Sequence, residues 1–145
     1  MKIIKTTHIG AYAVIIKNNQ IALIKKARGA YTGKYDLPGG GIEHNETPLE
    51  TLIRECSEEI DGTVITAELL DVTAINIKWK IKENLEEELH HIGLLYLTKI
   101  KEDKLKETPD GIDSNGALWL NIDTIKKEQT SPFVWYALEK LGYKK

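Results

Sequence analysis

The run Arg54-Glu55-Cys56-Ser57-Glu58-Glu59 sets three carboxylates at i, i+3 and i+4 behind a guanidinium. On a helix, residues at that spacing share one side. Like charges so placed repel one another. Near a helix C-terminus the macrodipole disfavours each anion by roughly 0.3–1 kcal/mol more. A sequence that carries both costs calls for a compensating cation. The cluster follows a glycine turn, Leu37-Pro38-Gly39-Gly40-Gly41. Together they point to a magnesium site for cleaving phosphate anhydrides. An anhydride resists hydroxide because both are negative. A hard divalent cation neutralises that charge and takes oxygen ligands in an octahedron, of which helical carboxylates supply a fixed part.

Local sequence predicts the elements that hold these groups. Gly10–Lys17 and Gln20–Ala27 read as strands, joined at Asn18-Asn19, because asparagine tolerates positive φ. Residues 28–45 contain five glycines and read as a long functional loop. Thr47-Pro48-Leu49-Glu50 reads as a helix start, with Thr47 capping, proline at the first position and Glu50 completing a capping box. Leu49, Leu52, Ile53, Cys56 and Ile60 form an apolar stripe at helical spacing, with Glu59 the acid nearest its border and Gly62 the stop. Val64–Lys80 reads as one or two strands, 81–89 as a charged connection, and 91–100 as a strand covered on both faces. Residues 101–115 read as a loop and 117–121 as a short strand. A last helix runs to about Leu141, capped by Ser131.

Composition bounds the rest. The chain has 145 residues, enough for one domain with a real core, and a net charge of -2 that leaves no basic footprint for general nucleic-acid binding. Cys56 is the single cysteine, so no internal disulfide forms, which fits a reducing, cytoplasmic setting. The first ten residues lack the apolar core of a signal peptide. No run of eighteen apolar residues exists, so no membrane span is expected.

From Gly40, through Glu46, to Arg54-Glu55-Cys56-Ser57-Glu58-Glu59, the spacing closely resembles the Nudix box of the Nudix hydrolases, and Leu37–Glu43 resembles its usual lead-in. The sequence departs from the box at Cys56, where an aliphatic residue is usual, and at Asp61 and Gly62, where glycine and then an aliphatic residue are usual. Asn45 stands where glycine is common. None of these removes a carboxylate. The resemblance implies an α/β (α+β) Nudix fold, a mixed β-sheet sandwiched between helices. It implies magnesium-dependent hydrolysis of a nucleoside diphosphate linked to another moiety, with manganese as a substitute. By that resemblance Glu58 and Glu59 are metal ligands, Glu55 is a ligand or the water-activating base, and the Gly40 carbonyl adds a ligand. Arg54 orients a glutamate of the box through a bidentate ion pair, and Glu46 braces the loop through Arg54. Gly39, Gly40 and Gly41 let backbone approach metal and phosphate.

Further candidates lie outside the box. Glu86, Glu87 and Glu88 offer an additional acid, against a bland reading as a solvated charge run. Tyr31, Lys34, Tyr35, Lys25 and Lys26 flank the glycine loop as substrate contacts. His90 and His91 open a strand, and one of them is a candidate phosphate contact. Trp79, Trp119, Trp135 and Tyr136 read as core, with one aromatic available to stack on a base. Cys56 lies on the packing stripe and reads as inert. The expected partner is a small nucleotide, and the assembly is a monomer or homodimer. Two other readings stay in view. A Nudix-fold nucleotide sensor without turnover has no need of the acid cluster. An isoprenoid-diphosphate isomerase needs an acid–base group in the pocket, which Cys56 does not provide.

Overall fold

The structure, a computed structural model, describes residues 1–145. Its elements are β1 (Lys2–Val14), β2 (Ile16–Lys17), β3 (Gln20–Lys26), β4 (Tyr35–Asp36), β5 (Gly39–Gly41), α1 (Pro48–Ile60), β6 (Val64–Lys82), β7 (Leu85–Ile100), β8 (Ser114–Asn121) and α2 (Pro132–Lys140). One mixed sheet has the order β5-β1-β7-β6, with β1 parallel to β7 and the other pairs antiparallel. A second sheet joins β2, β3 and β4, with β8 on the other edge of β3.

Alternation along β1 and β3 creates two cores. Tyr12, Val14, Ile21 and Leu23 pack with Phe133, Val134, Ala137 and Leu138 of α2. Ala11, Ala13, Ala22 and Ile24 pack with Leu52, Cys56 and Ile60 of α1. The sheets thus lie between the two helices, as the helix–sheet–helix expectation requires.

Several boundaries differ from the sequence reading. The first strand begins at Lys2, not Gly10, because residues 2–9 find a parallel partner in Leu85–Ile92. Residues 81–89 are not a connection. Only Glu83-Asn84 turns, with Asn84 at φ 61°, and Leu85–Leu89 continue the ladder opposite Ile77–Lys82. The glycine loop contains β4 and β5, and β8 starts at Ser114. The 91–100 segment is covered on both faces in its second half: His91, Gly93 and Leu95 are buried on the α2 side, while on the opposite face Thr98 is buried and Tyr96 and Ile100 pack against the α1 core. Asn18, Asn19 and Asn45 take positive φ, as their residue type permits.

The capping box of α1 forms as expected, with Glu50 N–H on Thr47 Oγ1 and Thr47 N–H on Glu50 Oε1. Asp61 takes the left-handed position that ends the helix, at φ 56° and ψ 34°. Ser131 does not cap α2 with its side chain; its hydroxyl donates to buried Asp36 at 2.5 Å instead. The apolar stripe of α1 is rolled. Thr51, Leu52, Cys56, Glu59 and Ile60 are buried, whereas Leu49 and Ile53 are 44% and 47% exposed. The helix turns Glu59 and, in part, Glu55 inward and leaves two aliphatic side chains in water.

Candidate active site

The roll of α1 brings Glu55 and Glu59 onto the glycine strand and leaves Glu58 exposed. β5 pairs with β1 in the register Gly41–Gly10, Gly40–Ala11 and Gly39–Tyr12. Gly39 has φ +144°, and a Cβ there would strike the Ala11 carbonyl oxygen. A Cβ on Gly40 would lie 2.7 Å from Glu55 Oε1. Glycine is required at Gly39 for its dihedral, and at Gly40 its lack of a side chain lets the Glu55 carboxylate lie where it does. Glu59, only 2% exposed, accepts the Gly39 N–H at 2.7 Å. Burial above all raises the Glu59 pKa well above the ordinary carboxylate value and raises that of Glu55 less.

Arg54 is the hub of the remaining acids. It grips Glu46 with two bonds, Nε to Oε2 at 2.7 Å and a terminal nitrogen to Oε1 at 2.9 Å. It reaches Glu55 at 2.9 Å, Glu58 at 3.4 Å and the Gly41 carbonyl at 3.5 Å. The bidentate partner is therefore Glu46, and Glu55 and Glu58 receive single contacts. Thr51 adds a third donor to Glu46 at 2.8 Å. The Arg54 hydrogen bonds hold the Glu46 carboxyl down at about 2.

The donor set fits a hard divalent cation: three carboxylates and a glycine carbonyl, all oxygen. Glu59 is buried and Glu55 half-buried, and both have raised proton affinity, which a cation would relieve. The side chains themselves stand apart, and no three His, Cys, Asp or Glu side chains converge at metal-ligand spacing. Glu59 is held by the Gly39 amide, and Glu55 and Glu58 share the Arg54 guanidinium.

Gly39–Gly41 and Glu55 close one end of a cavity of about 470 Å³. One wall is the inner face of the mixed sheet, whose side chains form rows across β1, β7 and β6: Ile4–Glu87–Trp79, Thr6–Leu89–Ile77, His8–His91–Ile75 and Gly10–Gly93–Thr73. Thr6, His8, Trp79, Glu87, Leu89 and His91 line this cavity, and Thr73, Ile75 and Ile77 a second. His91 is buried between two tyrosines, with Nε2 at 2.6 Å from the Tyr12 hydroxyl and Nδ1 at 2.9 Å from that of Tyr31. Burial pushes its pKa down to about 3, so the ring is neutral. A neutral imidazole has one donor and one acceptor nitrogen, so one tyrosine accepts from it and the other donates to it. Ala30 and Tyr31 separate this cavity from a second, also about 470 Å³, lined by Lys34, Ile75, Trp135 and Tyr136 beside α2.

The strand period sorts the outer candidates. Glu86 and Glu88 face Lys80 and Lys78 on the outer side of the sheet, and Glu88 pairs with Lys5 at 3.9 Å. Glu87 alone of the three lines the cavity. Tyr31 lines both cavities and Lys34 the second. Lys25 stacks on the Tyr35 ring at 4.5 Å, and neither lines either cavity; Lys26 does. His91 and Trp79 face inward, whereas His90 shares the outer face with Thr7 and Asn76. Trp119 packs against the α1 core and donates to the Asp103 carbonyl at 2.7 Å. Cys56 is buried with its thiol pushed up to about 12, which makes it unreactive.

Sequence reading missed His8, Tyr12, Arg28, Asp36 and Asp113, all of which line the first cavity. Arg28 pairs with Asp113 at 2.5 Å. His8 and Tyr12 share one face at strand spacing, a signal that emerges only once β1 is extended to Lys2. Asp36 and Asp113 carry no local signal.

A family model described as NUDIX domain matches residues 6–141. The chain is 37% identical over 71 residues to a protein named 8-oxo-dGTP diphosphatase from Proteus vulgaris, covering 48% of this chain and 63% of that protein. It is 27% identical over 114 residues to an ADP-ribose pyrophosphatase from Methanocaldococcus jannaschii, covering 79% and 62%. The chain thus spans less than two thirds of the length of either relative. The crystal structure of a MutT NUDIX hydrolase from Burkholderia pseudomallei superposes with a TM-score of 0.75 at 23% identity, covering 94% of this chain and 98% of that one.

Proposed function

Because the chain belongs to the Nudix hydrolase family, we propose that it is a divalent-metal-dependent hydrolase of a phosphate anhydride in a nucleoside diphosphate linked to another group. The observation that carries this is the roll of α1. Burying Glu59 while leaving Leu49 and Ile53 half in water lowers stability on both counts. The arrangement makes sense if the buried carboxylate has work to do at the glycine strand.

In this reading Glu58, Glu59 and the Gly40 carbonyl hold magnesium, or manganese in its place. The bound ion supplies charge neutralisation at the anhydride. Glu55, beside Gly40 and with raised proton affinity, accepts a proton from the attacking water. Arg54 positions Glu55 and Glu58 and ties them to the loop through Glu46. Lys26 and Arg28, on the cavity wall, receive phosphate charge. Residues 1–145 act as one catalytic domain on a small nucleotide. The relatives' names, 8-oxo-dGTP diphosphatase and ADP-ribose pyrophosphatase, place nucleoside triphosphates and nucleotide sugars first among the substrates to try.

The test is a product-release screen over nucleoside triphosphates, nucleotide sugars, dinucleoside polyphosphates and capped RNA, each with magnesium or manganese and with chelator. Release that chelator abolishes is expected for at least one class. No release from any class at any metal concentration rules the reading out.

A further inference from the structure

Glu87 stands at the end of the cavity remote from the glycine strand. Gly10, which pairs with Gly41, lies six residues beyond Ile4, the partner of Glu87. At about 3.3 Å per residue the two ends are roughly 20 Å apart along the strand, the scale of an extended nucleotide plus the side chain that meets it. The Glu87 carboxylate is fixed at both oxygens. Trp79 Nε1 donates to Oε1 at 2.6 Å and Thr6 Oγ1 to Oε2 at 2.8 Å. The row that holds it is half-buried, and the next row supplies Leu89 as an apolar neighbour.

A carboxylate oxygen accepts two hydrogen bonds, and the protein supplies one to each. What remains is a rigid pair of acceptors set side by side. A base complements it only with two adjacent N–H donors. Guanine has them, in its ring N1–H and its 2-amino group. Adenine sets a ring acceptor beside its amino group, and uracil flanks its single N–H with carbonyls. Either would turn a lone pair toward the carboxylate, an arrangement that rejects as well as fails to attract.

We infer that Glu87, oriented by Trp79 and Thr6, reads the two-donor edge of a guanine base and makes the proposed hydrolase selective for guanine nucleotides. The inference rests on the hydrolase reading for its reaction, but its binding test is independent of turnover. The phosphates then run from the Glu87 end toward Lys26 and the glycine strand. Trp79 and Thr6 are positioning residues, and Glu87 is the specificity residue.

Calorimetric binding of GMP, IMP and AMP in chelator isolates this contact, since IMP differs from GMP only in lacking the 2-amino group. GMP is expected to bind at least about tenfold more tightly than IMP or AMP, the scale of one hydrogen bond to a charged group. Glu87→Gln turns one acceptor into a donor and collapses the GMP-to-IMP ratio toward unity. Trp79→Phe keeps an aromatic ring but releases Oε1, and gives an intermediate ratio. Equal binding of GMP and IMP to the wild type, no binding of any of the three, or an unchanged ratio in Glu87→Gln overturns the inference. A GMP preference that persists in a protein without metal-dependent turnover overturns only the hydrolase reading. Turnover without a GMP preference overturns only this one.

Discussion

The two ends of the cavity are built in different ways. At the glycine end the proposed chemistry comes from one short stretch: Gly39 to Glu59 supply the backbone amide, the buried acid and the Arg54 hub. At the other end Thr6, Trp79 and Glu87 come from three strands and meet only because β1, β7 and β6 are in a particular register. A catalytic set can be written into one short contiguous stretch. A recognition surface is assembled from distant ones, and a slip of one residue would exchange Glu87 for Glu86 or Glu88 on the inner face.

The contrast breaks hardest at the glycine end. Glu58→Gln and Glu59→Gln are each expected to slow the chemical step by at least about 100-fold, the scale seen when charge stabilisation is removed. Single-turnover product release measures this, and near-normal rates in both variants refute the ligand assignment. Gly39→Ala, which forces a side chain into a left-handed position against the Ala11 carbonyl, should cost at least about 2 kcal/mol of stability. The urea midpoint reports it, and an unmoved midpoint contradicts the close packing of β5 on β1.

Acidity sharpens the comparison within the glycine end itself. Glu59 has a raised pKa in the fold, so its charge opposes folding above that pKa and the penalty fades as pH falls through it. In chelator, Glu59→Gln should therefore melt higher than wild type at pH 8, with the gap closing in acid. Glu46 behaves in the opposite sense. Its pKa of about 2 lies below the ordinary 4.5, so its contribution is complete above pH 4.5 and lost as pH falls toward 2. The melting deficit of Glu46→Gln should accordingly shrink over that interval, and a constant deficit would sever Glu46 from Arg54. The smallest effects belong to the outer face. Glu86→Gln and Glu88→Gln should stay within about 0.5 kcal/mol of wild-type stability, as exposed substitutions generally do. They should also leave the GMP-to-IMP ratio alone, and a shift of that ratio in either variant would mean that the strand register is different.

What the sequence disclosed follows the same division. The capping box at Thr47 and Glu50, the asparagine turn at Asn18-Asn19 and the acidic helix are local patterns, and local patterns can be read. The helix roll could not be read, because Leu49 and Ile53 fit the apolar stripe as well as Leu52 does. What decides is the Gly39 amide waiting for Glu59 across twenty residues. The strand from Lys2 to Ile9 was hidden because Lys2-Ile3-Ile4-Lys5 does not alternate, and its partner lies more than eighty residues away. The same blindness turned Leu85–Leu89 into a connection and made three glutamates look equivalent.

That parallel pairing of β1 with β7 also bears on how the chain is made. During synthesis the opening segment leaves the ribosome some eighty residues before Leu85–Leu97 exist to receive it. At roughly 5–20 residues per second the edge that β7 will take waits several seconds unmatched. The hairpin of β6 and β7 therefore sets the earliest moment at which that edge of β1 is covered, and the α2 core closes only after residues 133–138 have followed.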